Sequence, residues 1–184
     1  WKVGVVAQSH AVVEHMLDRV VAAGVPTAQV GKALKAGSDA EADAASFTVI
    51  PKNGMAAYID ENAAAGFVVG GTAWDFAHEG RVPRGGLDLL VIDEAGQFSL
   101  ASTIAVSLAA PRLLLLGDPQ QLPQVSQGTH PAPVDTSALG WVMDGSDVIP
   151  PEFGYFLAQT WLRHPSVAEP VSVLSYGGEL AAHP

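Results

Sequence analysis

The amino-acid sequence predicts an α/β fold in which a parallel sheet is layered with flanking helices. Three observations carry this. Short apolar runs alternate along the chain with segments of helical periodicity, an order that calls for parallel crossovers. The runs are continuously apolar, as in strands buried on both faces. Polar clusters stand at the carboxyl ends of four runs: Gln8-Ser9-His10, Gly71-Thr72, Asp93-Glu94 and Asp118-Pro119-Gln120-Gln121. Ligands of open α/β sheets bind beyond those ends, so one edge of the sheet is expected to gather the polar chemistry.

The elements follow in order. Val3 to Ala7 reads as a buried strand ending in a polar loop. Ala11 to Ala23 reads as a helix, with Val12, Val13, Met16, Leu17, Val20 and Val21 at helical spacing and Gly24 as its stop. Residues 36–45 are small and acidic and read as a surface loop. Met55 to Ala65 reads as a helix and Phe67 to Gly71 as a second strand. Arg81 to Gly86 is a loop. Leu87 to Asp93 is a third strand, Ser99 to Ala109 a helix and Arg112 to Gly117 a fourth strand. Residues 123–153 are rich in Pro, Gly and Asp and read as an irregular insertion around a short helix at Ser137–Met143. Tyr155 to Ala158 is a candidate fifth strand, and Pro165 to Ser175 a final helix. The chain opens on Trp1 within an apparent strand and stops just after that last helix, so both ends are expected to continue in a longer protein.

Composition narrows the classes. With 48% hydrophobic and 15% charged residues, the 184-residue chain can build a core. Pro111, Arg112 and scattered polar residues interrupt every apolar run before it reaches membrane-spanning length, so no membrane partner is expected. There is no cysteine, which excludes disulfides and thiolate metal sites and fits a cytoplasmic location. Nine Lys and Arg face nineteen Asp and Glu, for a net charge of -10. A nucleic acid would therefore be held through few charged contacts or with help from other domains. The six histidines lack HxxxH or HExxH spacing, so they are not expected to hold a metal. The four tryptophans read mainly as packing residues; Trp74, just after Thr72, is the best candidate for stacking on a base. Lys32 and Lys35 read as a solvated basic spot.

Two segments carry chemistry. In LLVIDEAGQ, residues 89–97, an apolar strand delivers two adjacent carboxylates. Phosphoryl transfer needs a magnesium ion to neutralise phosphate charge and a base to orient the attacking water. Asp93 is placed for the metal and Glu94 for the water. Alone, the pair also reads as an acidic strand end meeting solvent. In LLLLGDPQQLPQV, residues 113–125, a second buried strand ends in Gly-Asp and two glutamines. Amides can donate to a γ-phosphate and accept from water, although Gly, Asp and Pro also make ordinary turns.

Together and in this order, the two segments resemble motifs II and III of superfamily 1 DNA/RNA helicases, in the branch with RNA-decay and RecD-like members. VGVVAQSHAVVEHMLDRV resembles motif Ia, and FVVGGTAW the next nucleic-acid motif, centred on Thr72. QTWLRHPSVAEPVSVLSYGGEL resembles a later segment that in the family usually reads tyrosine-arginine-methionine-histidine-proline before its helix. GGTAW before DEAGQ, and GTHPAPVDTSALGW after motif III, look like bacterial proteins that fuse a RecB-like nuclease to such a helicase.

The resemblance implies a RecA-like P-loop NTPase sheet and a partial motor domain over 1–184. It implies ATP and Mg2+ as cofactors. Its partners would be single-stranded DNA or RNA, a second motor domain and a nuclease domain of the same polypeptide. Asp93 would bind magnesium and Glu94 would be the catalytic base. Gln97 and Gln121 would sense the γ-phosphate, with Asp118 supporting them; Gln120 and Arg163 would complete the nucleotide-facing set. Ser9, His10 and Thr72 would contact the nucleic-acid backbone.

Two departures stand against the family pattern. No GxxxxGK[ST] occurs in the sequence. In the family that phosphate-cradling loop lies just before the position of Trp1, and its strand sits inside the sheet. A sheet without it is expected to show a gap or an exposed edge. The family arginine that contacts the γ-phosphate falls on Leu162, with Arg163 one place late. The rival expectation is therefore a non-catalytic module that binds nucleic acid or a partner and keeps the motifs as relics.

Overall fold

A computed structural model of the chain describes residues 1–33, 45–121, 128 and 130–183. The acidic stretch 36–44, Lys35 and the end of the second motif, 122–125, lie outside the described residues. The chain forms two compact units, Trp1–Ala138 and Leu139–Pro184.

The first unit holds six parallel strands: β1 (Lys2–Val6), β2 (Val30–Ala33), β3 (Thr48–Ile50), β4 (Phe67–Gly71), β5 (Leu89–Ile92) and β6 (Leu113–Leu115), in the order β3-β2-β4-β1-β5-β6. Its helices are α1 (His10–Ala22), α2 (Met55–Asn62), α3 (Ala73–Phe76) and α4 (Leu100–Ser107). This is an α/β, RecA-like arrangement.

Each crossover follows from the local sequence. Ser9 caps α1 by accepting from the Val12 N–H at 3.3 Å, and Gly24 ends that helix with φ +100°. Strand alternation then sorts the faces. Lys32 and its register partner Gly70 face α1, whose Val13 and Leu17 pack on Gly70. Gly31 faces Tyr58 of α2 on the opposite side. Val5, Ala7, Val13, Leu17, Val30, Phe47 and Val91 form the core beneath α1. Leu17 and Val30 are fully buried, and losing a side chain such as Leu17 costs roughly 2–5 kcal/mol.

One edge of the sheet is apolar. β6 pairs with β5 on one side only, and Leu113, Leu114 and Leu116 are exposed. These leucines read as an interior strand because both faces are apolar, yet no described strand covers the outer side.

The second unit contains α5 (Ala138–Met143, beginning at the boundary), α6 (Pro165–Ser175) and a two-stranded parallel pair, β7 (Gln159–Thr160) with β8 (Ala181–Ala182). The fifth strand expected at Tyr155–Ala158 is not formed. Pairing begins one residue later, and Tyr155 and Leu157 stand exposed rather than packed in a sheet. Among the described residues no helix is long and apolar enough to cross a membrane.

Candidate functional site

β5 delivers Asp93 through a backbone hydrogen bond from its N–H to the Val6 carbonyl at 2.9 Å. The Asp93 Oδ1 accepts the Glu94 N–H at 2.9 Å, which fixes one carboxylate oxygen. Glu94 then takes a left-handed conformation with φ +55°, uncommon for a residue with a long side chain. Ala95 donates to the Leu116 carbonyl at 2.8 Å, and Gln97 and Phe98 donate back to the Glu94 carbonyl at 2.8 and 3.1 Å. Ala95 and Phe98 are buried and hold this turn down, leaving Asp93, Glu94 and Gln97 partly exposed above it.

The loop after β6 is built in parallel. The Asp118 Oδ1 accepts the Gln120 N–H at 3.0 Å and its carbonyl accepts the Gln121 N–H at 3.3 Å, a turn closed by the aspartate itself. The two loops touch backbone to backbone. A Cβ on Gly96 would lie 2.1 Å from the Asp118 carbonyl oxygen, and one on Gly117, with φ +154°, 2.7 Å from the Ala95 nitrogen. Above this contact the Gln97 amide donates to the Gln121 Oε1 at 3.3 Å. From the end of β1, Gln8 donates through Nε2 to the Gln97 carbonyl at 3.1 Å. Asp93, Glu94, Gln97, Asp118, Gln120 and Gln121 therefore gather at one carboxyl edge, as expected, with Gln8 as a third-strand brace. Gln8 was visible in the sequence only as part of a polar cluster.

The strand-facing candidates lie on the same edge, at the ends of β1 and β4, and each has a local partner. Ser9 caps α1. His10 Nδ1 lies 3.0 Å from the Lys32 Nζ. An ammonium has no lone pair, so in this contact Lys32 donates and Nδ1 accepts. Lys32 also donates to the Glu14 Oε1 at 2.8 Å and is fully buried, so it is no solvated basic spot. Glu14 compensates the charge and His10 accepts one of the ammonium hydrogens. Thr72 donates to the Asp75 Oδ2 through its N–H and its hydroxyl, each at 2.8 Å, and Arg81 pairs with the other carboxylate oxygen. Burial alone would raise the Asp75 carboxyl, but the Thr72 hydrogen bonds and the Arg81 guanidinium outweigh it and hold the group below the usual carboxylate range. The Thr-x-x-Asp spacing is a capping signature that announces this pairing. Arg163 belongs to the second unit, where it is exposed beside Leu162, which is 95% exposed.

The donors suit a hard cation. Asp93 keeps one carboxylate oxygen outside the Glu94 hydrogen bond, and Asp118 adds oxygen chemistry on the neighbouring loop. Among the described residues no three potential ligands form a closed metal cluster. Magnesium held by one or two carboxylates, with waters and substrate phosphates filling its shell, needs none. Asp93 is the residue that would hold such an ion.

Fold and site together give a RecA-like α/β arrangement whose two strand-end loops meet at one carboxyl edge. A family model described as an AAA domain matches residues 77–127, the span that carries both loops, and this fits a superfamily 1 helicase-like domain. No curated protein matches the chain.

Proposed function

We propose that this chain is part of the ATP-hydrolysing motor of a nucleic-acid helicase. In the intact protein it would couple magnesium-dependent hydrolysis to translocation along, or unwinding from, a single strand of DNA or RNA. The observation that carries the reading is the fused pair of loops: the carboxylates after β5 and the glutamines after β6 share one backbone-to-backbone contact and the Gln97–Gln121 hydrogen bond. A magnesium ion bound with nucleotide would supply positive charge at the phosphate oxygens. Asp93 would hold it. Glu94 orients the attacking water and takes its proton. Gln97 and Gln121 report whether the terminal phosphate is present, and Asp118 and Gln120 fix the loop that carries Gln121. Ser9, His10 and Thr72 face the nucleic-acid backbone. The wording of GGTAW and GTHPAPVDTSALGW supports a narrower place among bacterial nuclease–helicase fusions, with a second motor domain and a nuclease as neighbours in one polypeptide, inside the cytoplasm.

Steady-state turnover and nucleotide titration of the intact protein test this reading. Glu94→Gln should lower hydrolysis by roughly 100-fold or more while nucleotide affinity changes little. Asp93→Ala should weaken magnesium-dependent nucleotide binding as well. Near-normal turnover in Glu94→Gln would remove the claim. It would favour the second reading, a nucleic-acid- or partner-binding module with relic motifs, to which the absence of GxxxxGK[ST] and the Leu162 position point.

A further inference from the structure

We infer that Trp74 is a base-stacking platform for single-stranded nucleic acid, an inference that rests on the helicase reading above. Tryptophan is among the most buried residue types on average, yet Trp74 is 84% exposed while its neighbours Asp75 and Phe76 are buried at 9% and 2%. The indole stands on a fixed base. The Asp75 carboxylate accepts from the Thr72 N–H and hydroxyl and from Arg81, and Phe76 packs against Gly4 and Gly71. The backbone under the ring therefore cannot rotate it into the core without breaking that network. Its exposure is a property of the fold.

Its position follows from the register. Val6 of β1 lies opposite Gly71 of β4. Ser9 is three residues beyond one member of this pair and Trp74 three beyond the other, so the ring emerges on the carboxyl edge that carries Gln8, Ser9 and His10. Two of the other three tryptophans have partners, and the third, Trp141, is 56% exposed and belongs to the second unit. Trp1 has the Arg112 guanidinium 5.8 Å from its ring centroid, and Trp161 is stacked on His183 at 3.5 Å. Trp74 has no ring or cationic partner of this kind among the described residues. Stacking also suits the electrostatics. A chain of net charge -10 gains little from phosphate attraction, whereas a base offers a neutral π-face. The acidic group nearest in sequence, Asp75, is already paired with Arg81.

Labelled oligothymidylate and oligouridylate, titrated into the 184-residue chain at low salt by fluorescence anisotropy, test the inference. Trp74→Ala should weaken binding about 5-fold or more, the scale of one lost base–aromatic stack. Trp74→Phe should retain most of the affinity. Trp74→Leu, which keeps apolar bulk without an aromatic face, should behave like the alanine variant and serves in its place if alanine unfolds the chain. The penalty should vanish on an abasic strand, and the salt dependence should be unchanged because no phosphate contact is removed. A penalty on the deoxy or on the ribo strand supports the platform and tells which sugar it prefers. Strands bound equally by wild type, Trp74→Ala and Trp74→Leu would overturn the platform and leave the helicase reading standing. A penalty that persists on abasic strands would overturn it too. A wild-type chain that binds neither strand would likewise overturn the platform, while the helicase reading is judged separately by the turnover of Glu94→Gln in the intact protein.

Discussion

The side-chain amide of Gln97 donates to the Oε1 of Gln121 across 3.3 Å, joining two loops whose residues are 24 apart in sequence. Amides are neutral, so the link holds without a fixed charge and can be exchanged for a phosphate oxygen or a water at little electrostatic cost. The backbone contact beneath it is rigid by comparison, since Gly96 has no room for a side chain against the Asp118 carbonyl. The loops are hinged at the amides and fused at the main chain.

Gly96→Ala should therefore do more harm than its size suggests. A methyl group 2.1 Å from a carbonyl oxygen cannot be accommodated without moving one loop. We expect a loss of roughly 1–3 kcal/mol in urea unfolding, the usual scale of overpacking, and loss of activity in the intact protein. An unchanged midpoint would mean that the loops separate freely.

The 184-residue chain alone should show negligible ATP turnover. It contains no GxxxxGK[ST] to supply the phosphate cradle and its lysine. Phosphate release measured with and without single-stranded DNA checks this; turnover on the order of one per second, typical of competent enzymes, would contradict it.

Much of this edge was legible beforehand, for physical reasons. Phe67–Gly71 and Pro165–Ser175 form as read, because clear breakers flank an apolar strand in one case and proline opens a periodic helix in the other. β2 and β3 were not read. Each is short, and Lys32 in the middle of β2 looks like a surface residue until Glu14 and His10 from the next-door helix are seen to accept its hydrogen bonds. α3 is only four residues and carries no periodicity, although Thr72 and Asp75 mark its start. The partners of Ser9, His10 and Thr72 depended on which strands became neighbours, which spacing along the chain does not encode.

Asp75 predicts a pH dependence. Its folded-state carboxyl lies below the ordinary value. Its contribution is therefore present above the unfolded carboxylate pKa and is lost as pH falls through the depressed folded value. Asp75→Asn should cost about 1–3 kcal/mol at neutral pH, as hydrogen bonds to a charged group are lost, and much less in strong acid. Urea midpoints from neutral to acid pH should converge for the two proteins. A constant gap would show that the carboxylate charge is irrelevant.

Lys32 and Glu14 predict a non-additive pair. Glu14→Ala leaves a buried ammonium short of its carboxylate and should cost about 2–3 kcal/mol, toward the low side for broken buried pairs because Glu14 is 28% exposed. Adding Lys32→Met removes the stranded charge and should recover part of that loss. Double-mutant unfolding measurements decide; simple additivity would show that the charges do not interact.

Leu113 to Leu116 hold a last consequence. Between Pro111-Arg112 and Gly117-Asp118 the margin of β6 is leucine alone, with no charge or proline inside the strand to turn away an incoming one. Such an edge has little power of discrimination, so what occupies it is decided by proximity. A segment tethered to the same polypeptide by a short flexible linker is present at an effective concentration of order millimolar, far above that of a stray competitor. Where such a tethered segment exists, covalent connection supplies the selectivity that the leucines lack, and the order in which segments become available during synthesis governs which of them reaches the edge first.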